Sequence, residues 1–319
     1  MPEKSLNIRT VFMGTSLFAK EILESLVKNN YNIISAYTQP DKPLGRKKEL
    51  NASEVKRFCE EKNIPLKQPA NFTEKEIDEL RNLHPDIILV AAYGKILPQK
   101  ILSLPKFGAV NVHPSLLPEL RGPSPIQCAI LQGKTETGIT IMLMDAGMDS
   151  GDILAQEKMP ISLSDTSESL LQKASEQSSG LLLKTLPLWI ANEIIPKKQD
   201  ASKATFCKII NKEDGKINWH TDSAENIFNK FRAFYPWPGI FCFWNNTRLK
   251  LAQISVQKNS FKENPELTSG TVSKINGNIG VKAAEGIIIL EKIQPEGKKE
   301  MKINAFANGY PQFIGSVLK

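Results

Sequence analysis

The sequence is poor in the residues that hold metals and disulfides. Its 319 residues include four cysteines and three histidines. Cys59, Cys128, Cys207 and Cys242 form no C-x-x-C pair, and His84, His113 and His220 stand at no metal-ligand spacing from them or from one another. This pattern excludes a zinc ribbon and a thioredoxin-type redox motif, and no metal is expected. Scattered cysteines in so long a chain fit a reducing, cytoplasmic compartment. Long apolar runs are missing too. Stretches such as residues 87–93 fall far below the ~20 residues of a membrane span, so no membrane partner is expected. The opening MPEKSLNIRTVFMG has neither an apolar leader core nor an Arg-rich amphipathic stretch.

Glycine is scarce where a nucleotide-binding turn would need it. The first apolar run, residues 8–13, ends in Gly14-Thr15-Ser16-Leu17-Phe18, with one glycine where G-x-G-x-x-G would stand. The next strand closes on Thr38-Gln39-Pro40, without the acid that would hold a ribose. The phosphate loop G-x-x-x-x-G-K-S/T is also absent. A nicotinamide cofactor is therefore not expected.

What is present is an ordinary globular composition, 41% hydrophobic and 24% charged, in a chain long enough for two domains. The formal charge of +7 is unevenly placed: residues 1–200 are net neutral and residues 201–319 carry the whole surplus. A basic rear module makes a polyanion a candidate partner, set against a plain surplus of lysine for solubility.

Apolar spacing alternates between strand and helix over the first 190 residues. Strands are expected at 8–13, 32–38, 86–92, 108–113, 138–145 and 152–159. Helices are expected at 17–27, 53–62, 73–83, 122–132 and 166–191, with Thr73 and Glu76 forming a capping box. Alternation of this kind gives an α/β fold, a Rossmann-like doubly wound, mostly parallel sheet. Residues 191–208 read as a linker between domains 1–190 and 209–319. After them, residues 240–255 form a hairpin about Asn245-Asn246, and short strands at 271–275, 279–283 and 287–293 indicate a small antiparallel barrel or sandwich.

Ligands of such sheets bind beyond the carboxyl ends of the strands. Asn111 and His113 lie two apart on one strand, on one side of it, just before Pro114 breaks the chain. A second strand ends in a loop holding Asp145, Asp149 and Asp152 among glycines; some of these acids are simple turn residues. An Asn–His pair could merely satisfy neighbouring backbone. With a carboxylate at the same edge, the set suits acyl transfer: an amide for an oxyanion, an imidazole for protons, a carboxylate to orient it.

The segment Asn111-Val112-His113-Pro114-Ser115-Leu116-Leu117-Pro118, followed by Arg121-Gly122 and by Met148-Asp149-Ser150-Gly151-Asp152, resembles the formyltransferases that use 10-formyltetrahydrofolate. The resemblance implies a catalytic trio of Asn111, His113 and Asp149. It places Ser115, Leu116, Leu117 and Pro118 at the folate site. Ile96, Leu97 and Asp145, with their neighbours, would line it, although Ile96 and Leu97 read equally well as core. Four further segments (12–19, 38–46, 92–98 and 232–239) resemble the tRNA-formylating branch of that family, with Ser16-Leu17 departing from its usual pattern.

That branch implies formyl transfer from 10-formyltetrahydrofolate to the α-amine of initiator methionyl-tRNA, and an OB-like C-terminal barrel that binds tRNA. Lys42, Arg46, Lys47 and Lys48 become candidate phosphate contacts in a basic loop that otherwise reads as solvated. No obligate protein partner is expected. The aromatic cluster Phe231, Phe234, Tyr235 and Trp237 could stack bases but is expected to pack at the start of the barrel. Two alternatives stay open: a formyltransferase acting on a small amine (glycinamide ribonucleotide or an amino-sugar nucleotide), and a non-catalytic nucleic-acid-binding protein of the same fold.

Overall fold

A computed structural model of the chain describes residues 7–44, 49–257 and 268–319. The chain divides into two compact units. The first takes the described residues of Met1–Ile126, Glu136–Ile161 and Ser169–Lys208; the second takes Gln127–Thr135, Ser162–Glu168 and those of Ile209–Lys319. Residues 191–208, expected as a linker, run with the first unit, where Lys197 exchanges two backbone hydrogen bonds with Ile153 (2.8 and 2.9 Å).

The elements up to residue 190 are β1 (Thr10–Gly14), α1 (Leu17–Lys28), β2 (Ile33–Tyr37), β3 (Lys42–Leu44), β4 (Glu49–Asn51), α2 (Glu54–Lys62), β5 (Leu66–Lys67), α3 (Glu74–Asn82), β6 (Ile87–Ala91), α4 (Gln99–Leu102), β7 (Ala109–His113), α5 (Pro125–Leu131), β8 (Glu136–Leu143), β9 (Ile153–Pro160) and α6 (Ser167–Ile190). Seven strands form one sheet in the order β5-β2-β1-β6-β7-β8-β9. The first five are parallel; β8 runs antiparallel to β7, and β9 antiparallel to β8. The parallel pattern expected from strand–helix alternation thus stops at β7. Strands β8 and β9 follow one another with no helix between, and such neighbours pair antiparallel.

Local chemistry sets the helices. Ser16 and Ser53 cap α1 and α2 by accepting from Ala19 N and Lys56 N, and the Thr73/Glu76 capping box opens α3. Helix α1 presses Phe18, Ala19, Ile22, Leu23 and Leu26 inward. A Cβ on Gly14 would lie 2.6 Å from the Ala19 Cβ and 2.9 Å from the Ala91 carbonyl, so only glycine lets the helix start so close to the sheet. Strands β1, β6 and β7 are buried along their whole length, as central parallel strands must be.

In the second unit are α7 (Ala224–Ala233), β10 (Ile240–Trp244), β11 (Thr247–Gln257), β12 (Val272–Ile275), β13 (Asn278–Lys282), β14 (Ile287–Pro295), β15 (Met301–Lys302) and α8 (Ile303–Gly309). The strands pair antiparallel in the order β10-β11-β14-β13-β12, with β15 on β14. Residues 315–319 close the ring. Gly315 N and Ser316 O bond Val272, and Lys319 exchanges hydrogen bonds of 2.7 and 2.9 Å with Phe243 on β10. The result is a closed antiparallel barrel. Asn245 and Asn246 both have positive φ (46° and 64°), the conformation a two-residue hairpin turn demands. Trp244, Phe306 and Phe313 pack on one another by edge-to-face contacts of 5.1–5.5 Å. The expected aromatic cluster divides: Phe234 is buried, whereas Tyr235 and Trp237 are exposed.

Candidate active site

Asn111 and His113 occupy the carboxyl half of β7, facing the same way and nearly buried. In register, Asn111 stands between Val90 of β6 and Met142 of β8, and His113 stands beside Thr140. Asp149 comes from the loop joining β8 to β9. The Asn111 amide Nδ2 lies 3.4 Å from Asp149 Oδ1, and His113 Nδ1 lies 3.7 Å from Asp149 Oδ2. Residues 38 and 36 positions apart in sequence thus meet at one sheet edge.

The surroundings fix the roles of the imidazole nitrogens. His113 Nε2 is 3.0 Å from the Leu120 carbonyl, which can only accept; Nε2 therefore carries a hydrogen. That leaves Nδ1, beside the carboxylate, as the nitrogen that exchanges a proton. Gly122 N donates to Asp149 Oδ2 at 2.8 Å, so the carboxylate is held by an amide hydrogen and an asparagine as well as facing the ring.

The Asp149 loop is narrowly built. Asp149 itself has φ of 49°, a left-handed conformation that Asp tolerates better than most residues. A Cβ on Gly151 would fall 1.9 Å from the Leu143 carbonyl, so the return into β9 requires glycine there. Asp145 is exposed and accepts from Gly147 N (3.0 Å) and Ser150 Oγ (2.8 Å), closing the turn on itself.

The segment after β7 is pinned through Thr140. Its hydroxyl donates to Ser115 O (2.6 Å) and accepts from Leu117 N (3.1 Å) and Gln156 Nε2 (2.9 Å). Gln156 also donates to Leu117 O at 2.8 Å. The Ser115 hydroxyl is spent on Glu119 O, and Leu116 lies over Gly138. Of the other candidate folate residues, Ile96 is 88% exposed whereas Leu97 lies in the core with Tyr93, Val90 and Ile101. The 92–98 loop is tied by Gln39, which donates to the Tyr93 and Gly94 carbonyls, and by Lys95, whose ammonium caps the Pro69 and Ala70 carbonyls. Burial, and then the like charge of Lys42, lower the Lys95 pKa.

Lys42 is exposed on β3, which pairs with β4 as a hairpin (Lys42↔Asn51, Pro43↔Leu50). Asp41 anchors its base through Lys56 at 2.6 Å and Gln68 at 2.8 Å. Arg46, Lys47 and Lys48 lie outside the described residues. Among the described residues no group of three or more His, Cys, Asp or Glu could hold a metal ion. No described helix is long and apolar enough to cross a membrane.

Sequence reasoning missed Gln199. Its Nε2 donates to the Asp149 and Gly151 carbonyls (2.9 and 2.8 Å), and its Oε1 accepts from Arg121. It lies in an aperiodic segment with no pattern to mark it.

A buried amide, an imidazole and a carboxylate thus meet at the carboxyl end of β7. The family model described as formyl transferase matches residues 7–186, and that described as formyl transferase, C-terminal domain, matches residues 209–311. A methionyl-tRNA formyltransferase of Caldicellulosiruptor saccharolyticus is 45% identical over 97% of this chain and 99% of its own. One from a Geobacillus strain is 42% identical over 95% and 94%. The chain belongs to the methionyl-tRNA formyltransferase family.

Solved structures share the fold at lower identity. An N-formyltransferase from Helicobacter canadensis, solved with folinic acid and dTDP-3-aminofucose, has a TM-score of 0.65 and 20% identity over 90% of this chain and 99% of its own. HypX from Aquifex aeolicus, solved with tetrahydrofolic acid, has a TM-score of 0.63 and 13% identity. The chain covers 48% of the length of that HypX chain and 96% of itself.

Proposed function

We propose that this chain transfers the formyl group of 10-formyltetrahydrofolate to the α-amine of initiator methionyl-tRNA, with Asn111, His113 and Asp149 as the catalytic trio. The observation that carries the reading is the convergence of those three side chains at one sheet edge in a chain of this family. The amine nitrogen attacks the formyl carbon, and the carbonyl oxygen gains negative charge. Asn111 has a second amide hydrogen beyond the one aimed at Asp149, and it donates that hydrogen to the oxyanion. The proton lost by the amine passes by way of His113 Nδ1 to N10 of the folate. The C–N10 bond then breaks, leaving formylated amine and tetrahydrofolate. Asp149 stands beside the nitrogen on which positive charge appears during that transfer.

The folate would lie between the 115–118 segment, the 144–150 loop and the exposed Ile96. Leu97, being core, would support rather than touch it. The acceptor stem of the tRNA would meet Lys42 and the basic run Arg46, Lys47 and Lys48, and the basic barrel would take further phosphates. A cytoplasmic site of action belongs to the same reading, supported by the match to curated methionyl-tRNA formyltransferases.

Purified protein given 10-formyltetrahydrofolate should formylate methionyl-initiator-tRNA and neither glycinamide ribonucleotide nor an amino-sugar nucleotide. Asn111→Ala should lower turnover by about 10²–10³-fold, and His113→Ala by about 10²–10⁴-fold, with folate affinity little changed in both. Near-normal turnover in either variant, or formyl appearing only on a small amine, would refute the assignment.

A further inference from the structure

Asp149 must present its carboxylate to Asn111 and His113 from a loop whose backbone is bent the unfavourable way. Positive φ in a non-glycine residue persists only where the surroundings over-determine it. Two separate connections do so here, and both lead to residues 121 and 122. On the side-chain face, Gly122 N donates to the carboxylate at 2.8 Å. On the backbone face, the Asp149 carbonyl accepts from Gln199 Nε2 at 2.9 Å, and the same nitrogen reaches the Gly151 carbonyl at 2.8 Å.

Gln199 is in turn held by charge. Arg121 grips its Oε1 from Nη2 at 2.7 Å and from Nε at 3.2 Å, and Arg121 is 7% exposed. The backbone of Arg121 is fixed as well, by Thr205 O at 2.9 Å and Cys207 N at 2.7 Å. The amide has only one workable orientation: the guanidinium can only donate and the two carbonyls can only accept, so a flipped amide would break all four hydrogen bonds. The antiparallel bridge between Ile153 and Lys197 brings this stretch beside the start of β9.

We propose that Gln199 is a positioning residue for Asp149: with Arg121 behind it, it staples the carbonyls of residues 149 and 151 and so fixes the carboxylate against Asn111 and His113. The proposal rests on the catalytic reading of the trio. It assigns a part in the reaction to a segment that lies between the two family-model matches, at residues 7–186 and 209–311.

The test uses the full chain, with 10-formyltetrahydrofolate and methionyl-initiator-tRNA as substrates. Gln199→Ala should lower kcat by about 10–10²-fold, as a misplacement near 1 Å does, while both KM values stay within about threefold. Gln199→Glu keeps the size and the Arg121 partner but turns a carboxylate oxygen on two carbonyls; its kcat should fall at least as far. In an Asp149→Ala background, adding Gln199→Ala should cost nothing more, because residues acting as a unit are not additive. A role limited to holding the fold would lower the melting temperature and the active fraction in either background, so that Gln199→Ala would cost Asp149→Ala as much as it costs the parent, and kcat per folded molecule would be unchanged. Should Gln199→Ala not fold, the glutamate variant carries the test. Wild-type kcat in either folded variant, with Asp149→Ala reduced to a small measurable rate, overturns the positioning role. An active Asp149→Ala overturns instead the reading on which it rests.

Discussion

Thr140 shows how much a single buried hydroxyl can decide. Entirely buried beside His113, it joins Ser115 O, Leu117 N and Gln156 Nε2, and so holds the segment that would carry the folate. Thr140→Val keeps the shape and deletes the hydroxyl, leaving a buried carbonyl and a buried N–H without partners at ~1–3 kcal/mol each. We expect a loss of about 2–6 kcal/mol in urea unfolding, together with weaker folate binding in a titration; unchanged binding would separate the 115–118 segment from the folate site. At this scale the sequence marked Asn111 and His113, because polar side chains on an apolar strand stand out, while the family resemblance chose Asp149 from the three acids of its loop. It could not mark Gln199, Thr140 or the Gly122 N–H. A hydrogen bond between residues 50 apart, a hydroxyl among several in a strand and a backbone donor leave no pattern of their own. Nor could it separate Ile96 from Leu97, since adjacent apolar residues in a loop follow no period.

Elements with their own start signals and periodicity were the legible part of the fold. The Thr73/Glu76 box and the Asn-Asn turn each mark a boundary by local hydrogen bonding. Elements that exist through their partners were not legible: β5 has two residues and is a strand because β2 lies beside it, and β3 and β4 form because they pair. The antiparallel sense of β8 and β9 likewise depends on how the chain returns, which residue types do not record.

The surface of α1 offers a pH test of element-level electrostatics. Lys20 and Lys28 flank Glu24 one turn away on each side and hold its pKa down to about 2 from an ordinary 4.5. A depressed carboxylate adds stability that is present above pH 4.5 and is lost as pH falls through about 2. The pairs are partly exposed, so solvent screening limits their contribution to under ~1 kcal/mol. Glu24→Gln should therefore cost less than ~1 kcal/mol at pH 7 in denaturant unfolding. That difference should shrink between pH 4.5 and 2. A difference that persists at pH 2 would show that the charge is not its source.

For the whole molecule, the arrangement of charge separates the two substrates. Folate would be held by a small site made of backbone groups and apolar walls, where few ions are displaced on binding. The tRNA would be held through phosphates, by the basic run of residues 42–48 and by a rear portion that carries the entire net charge of +7. Binding through phosphates releases counterions, and its logarithm falls with the logarithm of salt concentration by roughly 0.7–0.9 per phosphate neutralised. Raising salt from 50 to 200 mM should consequently lift the KM for methionyl-tRNA by orders of magnitude if six or more phosphates are engaged, while the KM for 10-formyltetrahydrofolate changes little. Replacing Arg46, Lys47 and Lys48 together by alanine should raise the tRNA KM and flatten the salt slope by about one unit for each phosphate no longer neutralised. The kcat at saturating tRNA should fall less than the affinity does, because the proposed chemistry lies with Asn111, His113 and Asp149. A salt slope unchanged by the triple variant would move the phosphate-binding groups away from residues 46–48 and onto the barrel; a flat slope in the parent protein would leave the +7 as a solubility feature only.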